Sequence, residues 1–380
     1  MGQMFPRQAQ FALLALLLAG LLATGLEGTA RWYEGKHPSP EVDFSGGFSA
    51  SGRVFTEVPA SPGMFRTSEL KKIAFVDQIF PRLKQPGALR IAVLGESSVN
   101  YLQGDLWALR PRLSAALNRP KIELINAGGK SYGSERLRLV ARELLEFEPD
   151  VLVLYLGNNE FEEVEQLQLI RPRFASALDF FYGSAIVRVA TGALFSAHLK
   201  ELREAHSAKI LADGPASAIA WTHTFSARDV SERMARFEAN LRAMVELYRG
   251  RKTKLIMATI PSNGLHPELP LSAMPGYAKV LQAYSKGRFE EASHLGHELL
   301  RNTPGRHQSS DLENAIIRRV AGDNHLPLVD VERAVAAAEP HHVLGETLFK
   351  DHCHLNVAGN ALLAGLLEKA IVQAASGMLK

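Results

Sequence analysis

The stretch Arg90-Ile91-Ala92-Val93-Leu94-Gly95-Glu96-Ser97-Ser98 decides the fold class. Its apolar run is short, continuous and without alternation, which is how a strand buried on both faces of a parallel sheet reads. A glycine closes it, and residues able to do chemistry follow at once. Four further runs have the same character: Lys121–Ile125, Asp150–Leu156, Lys254–Ile260 and, more weakly, Leu326–Val331. Between them the period changes to that of a helix. Leu137, Val140, Ala141, Leu144 and Leu145 share one face of Ser134–Phe147, and Met234, Phe237, Leu241 and Val245 share one of Val230–Tyr248. Strands alternating with helices predict an α/β fold on a parallel sheet. Ligand groups then belong at the carboxyl ends of the strands.

Four blocks fall at or near such ends: Gly95-Glu96-Ser97-Ser98, Asn126-Ala127-Gly128, Gly157-Asn158-Asn159-Glu160 and Asp351-His352-Cys353-His354. Ser97 follows the first strand, where a hydroxyl can point into a crevice while its own N–H faces the same space. Ser98 is its neighbouring competitor. The block lacks a glycine two residues after Ser97, so it is not the G-x-S-x-G elbow. Asp351 and His354 stand three apart, just before an apolar helix from about Val357 to Ala375 for which Asn356 is a suitable N-cap. At that spacing the carboxylate can accept from the imidazole Nδ1–H, leaving Nε2 to take a serine proton. Asn159 can donate its side-chain amide to an oxyanion alongside the Ser97 N–H. The set is what acyl transfer at an ester requires.

Composition narrows the partners. The 380 residues are 46% apolar and 22% charged, with a formal charge of +3. There is no dense Lys/Arg stripe, so no nucleic-acid partner is expected. Cys353 is the single cysteine and precludes an intrachain disulfide. His341, His342, His352, Cys353 and His354 cluster, but their spacings match none of the common zinc patterns. Neither a metal nor a cofactor is expected.

Three further segments shape the domain plan. Residues 1–30 hold one basic residue, Arg7, ahead of an apolar run from Phe11 to Leu26. They read as a membrane anchor or a signal peptide, with the rest of the chain outside the cytoplasm. Residues 31–87, with His37-Pro38-Ser39-Pro40 and Gly46-Gly47, read as a linker or arm. The catalytic unit is 88–380. It carries a mostly helical insertion at 161–228, whose apolar part Phe180–Phe195 is a packed helix or an acyl-chain wall. A second insertion at 271–304 has two helical faces about Ser285-Lys286-Gly287-Arg288-Phe289 and looks like one tetratricopeptide unit. A lone unit cannot stack into an array, so it is expected to be a local hairpin, with a protein partner as the sharper alternative.

The four blocks together resemble the SGNH/GDSL hydrolase superfamily, over roughly Leu89 to Val372. Its first block reads G-D-S-x, its third G-x-N-D and its last D-x-x-H. The resemblance implies a three-layer α/β/α, flavodoxin-like sheet of five parallel strands in the order 2-1-3-4-5. It implies Ser97 as nucleophile, His354 and Asp351 as its partners, and Asn159 as an oxyanion donor. The second block departs: the family's glycine, five residues after the asparagine, falls on Ser131, whose backbone N–H can still donate. Glu160 in place of Asp is a milder departure. The layout also looks like a membrane-anchored bacterial subgroup with a helical hairpin before the last block, which places the site in the cell envelope. The implied activity is that of a serine esterase on O-acyl groups of an envelope glycan or lipid. O-acetyl transfer to an envelope polysaccharide is the first alternative and a non-catalytic envelope scaffold the second.

Overall fold

The computed structural model describes residues 7–37, 52–168, 184–211, 225–269 and 273–376. In chain order the elements are α1 (Arg7–Lys36), β1 (Phe55–Glu57), β2 (Met64–Thr67), β3 (Ile79–Pro81), β4 (Leu89–Gly95), α2 (Ser97–Asn100), α3 (Gln103–Leu117), β5 (Ile122–Gly128), α4 (Ser134–Leu144), β6 (Val151–Tyr155) and α5 (Glu160–Gln168). They continue with α6 (Ala185–Leu211), α7 (Ala227–Tyr248), β7 (Lys254–Ala258), α8 (Met274–Ser285), α9 (Phe289–Asn302), α10 (Asp311–Asp323), β8 (Leu328–Val329), α11 (Val331–Ala338) and α12 (Val357–Ser376). The chain divides into two compact units, one of residues 1–53 with 167–206 and one of the remainder.

The larger unit is built on one five-stranded sheet in the order β5-β4-β6-β7-β8, every pair parallel. This is the order 2-1-3-4-5. Side chains alternate across it. Ile91, Val93, Val151, Val153 and Ile256 share a core with Leu106, Leu109 and Leu113 of α3 and Leu363, Leu367 and Ile371 of α12. On the other face α4, α7 and α10 pack side by side, with Leu137, Val140, Phe237 and Leu241 fully buried. Helix α12 is apolar enough to cross a membrane, but its inner face is part of this core. Hairpin helices α8 and α9 turn at Gly287, whose φ of +71° suits a residue without Cβ. Their inner face closes on Leu265 and Val343 through Val280, Tyr284, Phe289 and Leu299.

The segment 31–87, expected as a linker or arm, contains regular structure. Helix α1 continues to Lys36, and from Phe55 the chain forms an antiparallel sheet in the order β1-β2-β3. Four phenylalanines explain it: Phe55, Phe65 and Phe80 stand edge-to-face on Phe147, with ring centroids 5.0–5.7 Å apart. Residues 38–51, which include Pro38-Ser39-Pro40 and Gly46-Gly47, are outside the described residues.

This small sheet is bolted to the large one by polar groups. Arg90, fully buried on β4, donates to the carbonyls of Pro81, Arg82 and Phe147 and to Glu123. Gln78 pairs with both backbone groups of Asn126 on β5, at 2.6 and 3.1 Å. Lys71 Nζ donates to Tyr132 Oη at 2.9 Å. Burial, with Arg136 nearby, holds the Lys71 ammonium down at about 7, and burial pushes the Tyr132 phenol up to about 12.

The smaller unit contains α1 and α6. Apolar side chains of α1 are exposed, among them Phe11, Leu16 and Leu21, and the helix is long enough to span a bilayer. Glu27 on α1 caps α6, accepting from Ser184 Oγ at 2.7 Å and Ala185 N at 2.9 Å. A second tie joins the two helices: Arg188 and Glu34, both buried, form a two-point ion pair at 2.7 and 2.8 Å. Of Phe180–Phe195, the part from 184 belongs here, on α6 and the residue before it; 180–183 lie outside the described residues.

Lys71 generates a prediction. An unfolded lysine titrates near 10.4. Between about pH 7 and 10 the folded chain is therefore neutral at this site while the unfolded chain is charged. The unfolded state then binds more protons, so this group makes stability rise with pH across that window. Lys71→Met is expected to remove that part of the rise, seen as a smaller gain in urea midpoint between pH 7 and 9.5 than in the parent chain. An unchanged gain would mean that Lys71 stays charged in the fold.

Candidate active site

Strand β4 ends at Gly95, where a Cβ would lie 2.0 Å from the carbonyl oxygen of Tyr155 on β6 and 2.5 Å from Val99. Only glycine lets the two strand ends close up there. The chain then turns at Glu96 into α2, with Ser97 as its first residue, 7% exposed.

Ser97, His354 and Asp351 form one hydrogen-bonded run. His354 Nε2 lies 2.7 Å from Ser97 Oγ, and His354 Nδ1 lies 2.8 Å from Asp351 Oδ2 and 3.0 Å from Oδ1. Asp351 Oδ1 also accepts the backbone N–H groups of Cys353 and His354 at 2.9 and 2.8 Å. Burial works to raise the Asp351 carboxyl, but the His354 hydrogen bond and charge and these two N–H groups outweigh it, holding it well below the usual range. An ionised carboxylate only accepts, so the ring proton sits on Nδ1 and Nε2 is left to accept from the serine hydroxyl. The ring is further held edge-on by Tyr101, with centroids 4.9 Å apart.

The loop bearing Asp351 is fixed by Asn263, which follows β7. Its N–H donates to the His352 carbonyl and its side chain to the Asp351 carbonyl, both at 3.0 Å. Asn356 caps α12 as its position predicts, accepting from Ala358 and Gly359. His352, beside these three residues, pairs through Nδ1 with Glu268 at 3.0 Å, and burial pushes its imidazole down. Ligand-capable atoms of Asp351, Cys353 and His354 lie within 4.8 Å of one another. Asp351 is bonded to His354 Nδ1 and His354 Nε2 to Ser97, and burial pushes the Cys353 thiol well up, away from the thiolate a metal would take.

Asn159 is buried at 4% exposure, and its Nδ2 donates to the Tyr132 carbonyl at 3.3 Å. An amide nitrogen has two hydrogens, so one remains. Ser131 precedes Tyr132 with φ +59°, the left-handed region that favours glycine. Its carbonyl accepts from Arg136 Nη2, whose Nε donates to Glu163 at 2.7 Å. The side chain of Ser131 thus stands in a backbone position made for glycine, with its N–H outside any hydrogen bond among the described residues.

Two buried carboxylates, Glu96 and Glu160, set this geometry. Glu96 is fully buried and accepts from Asn158 N at 2.8 Å and Asn159 N at 3.0 Å. Burial pushes its carboxyl well up against those N–H groups. Glu160 accepts from Ser134 N and Oγ at the start of α4, each at 2.9 Å, and from Arg233. Gln78 and Asn263 went unrecognised in the sequence. Each acts on backbone groups distant in sequence, Gln78 on those of Asn126 and Asn263 on the carbonyls of Asp351 and His352, and no local pattern marks either.

No family model matches the chain, and no curated protein matches it either. Among solved structures, a GDSL-like lipase from Bacteroides thetaiotaomicron VPI-5482 aligns over 75% of this chain and 88% of its own, at 14% identity and TM-score 0.39. The lipase/acylhydrolase from Enterococcus faecalis aligns over 75% and 96%, at 14% identity and TM-score 0.38. A member of the lipolytic protein G-D-S-L family from Veillonella parvula DSM 2008 aligns over 74% and 97%, at 10% identity and TM-score 0.36.

Ser131→Gly is expected to leave stability unchanged or raise it by up to about 1 kcal/mol, because it relieves a left-handed residue. Ser131→Val places a β-branched residue at φ +59° and is expected to cost about 2 kcal/mol. Denaturant melts of the two variants check this; equal stability would contradict the backbone assignment.

Proposed function

We propose that the chain is a serine hydrolase of ester bonds, acting on O-acyl groups of an envelope glycan or lipid. The observation that carries this reading is the continuous run Ser97 Oγ–His354–Asp351, with carboxylate on Nδ1 and hydroxyl on Nε2. His354 takes the Ser97 proton as Oγ attacks the ester carbonyl. The developing oxyanion is held by the N–H groups of Ser97 and Ser131 and by the free hydrogen of the Asn159 amide. Collapse expels the alcohol, which receives the proton from His354 and leaves an acyl-Ser97. A second hydroxyl, of water or of a sugar, gives its proton to His354 and resolves the acyl-enzyme. No cofactor enters these steps. Hydrolysis and O-acetyl transfer share the first half and divide only at the acceptor. Helix α1 serves as the membrane anchor in this reading, with the catalytic unit outside the cytoplasm; its exposed leucines and phenylalanine support that role.

Ser97→Ala and His354→Ala are each expected to lower kcat/KM on an activated acetyl ester at least about a thousandfold, and Asp351→Asn to be strongly impaired through the wrong ring tautomer. A loss below tenfold for Ser97→Ala or His354→Ala in folded protein would overturn the triad. Faster turnover with added glycan, with the acyl group recovered on it, would assign transfer.

A further inference from the structure

Two lysines stand over one ring at the mouth of this site. Lys130 Nζ lies 5.1 Å and Lys350 Nζ 5.5 Å from the centroid of Tyr101, the ring whose edge holds His354. Lys130 is half-buried and Lys350 exposed. Each directly precedes a residue of the proposed machinery, Ser131 in one case and Asp351 in the other. Each is fixed by its backbone, Lys130 N to the Ala74 carbonyl at 2.9 Å and Lys350 N to the His354 carbonyl at 2.8 Å.

Their charges are not answered from within. Lys72 and Lys84 both reach a carboxylate, whereas neither Lys130 nor Lys350 has one within 4.0 Å among the described residues. The nearby acids are engaged elsewhere: Asp351 with His354, and Glu268 with His352. Two ammonium groups drawn to one aromatic ring repel each other, and the cation–π attraction that holds each is weak at an exposed site. An anion within reach of both ammonium groups would gain both charges, beside the ring that packs on His354.

We infer that Lys130 and Lys350 form an anion-recognition pair, so that the preferred substrate carries a carboxylate or phosphate close to the ester. This rests on the esterase reading and narrows it from acyl esters in general to acidic ones.

The test compares kcat/KM for phenyl acetate, a neutral ester, with that for O-acetyl-3-hydroxybenzoate, which carries a carboxylate, and for acetyl glycerol 3-phosphate, which carries a phosphate. The full chain is used, with the double variant Lys130→Met/Lys350→Met and the charge-keeping variant Lys130→Arg/Lys350→Arg. The ratio of anionic to neutral ester is expected to fall about tenfold in the methionine variant and to be retained in the arginine variant. In the parent chain it should also fall as ionic strength rises from about 0.05 to about 0.5 M. The anion whose ratio responds identifies the group recognised. A ratio that neither the methionine variant nor salt changes, or an equal loss on all three esters, overturns the inference while leaving the esterase reading intact. If the parent chain turns over none of them, the esterase reading fails and this inference fails with it.

Discussion

The Glu96 carboxylate is the contact on which the geometry of the site turns. It is buried beside Ser97 and accepts two successive N–H groups, of Asn158 and Asn159. One side chain thereby ties the end of β4 to the loop after β6. It sets where the proposed nucleophile stands relative to the proposed oxyanion donor. A buried carboxyl is costly, and burial raises its pKa; the two donors offset part of that cost. Gly95 makes the same junction possible sterically, because β4 and β6 approach too closely there for a Cβ.

Around this junction the loops are tied to one another more than to solvent. Glu160 and Glu163 hold the start of α4, Arg136 crosses from Glu163 to the Ser131 carbonyl, and Tyr132 accepts from Asn159. The small antiparallel sheet backs the arrangement from the other side through Lys71, Gln78 and the Ala74 carbonyl, which receives Asn100 Nδ2 and Lys130 N. The residues proposed to do chemistry are few. Those that fix them in place come from both sheets, which is how a site is held to the tolerance that acyl transfer demands.

The strands were legible because parallel strands buried on both faces carry an unmistakable apolar run, and β4 to β7 each have one; their order was implied by the family resemblance alone. The meeting of Ser97, His354 and Asp351 was legible because Ser97 and the Asp351/His354 pair sit at element boundaries with a spacing that only a few uses explain. The small sheet was not: its three strands are three or four residues long, too short for a period to register, and glycine and proline nearby dominate the composition. Its real signal is the repeated phenylalanine, which gains meaning only once Phe147 on the far side of the sequence is seen among them. Gln78 and Asn263 were invisible for a related reason. Each acts through backbone groups distant in sequence, and no local pattern records such a bond. Ser131 was placed by resemblance alone; its left-handed φ supplies the physical reason a glycine is usual there.

The most direct test of the central claim is to treat the intact protein with a fluorophosphonate probe and map the adduct by mass spectrometry. The account predicts one adduct, on Ser97, that disappears when His354 is replaced by alanine. A folded protein that takes no adduct, or takes it on Ser98 instead, would contradict it.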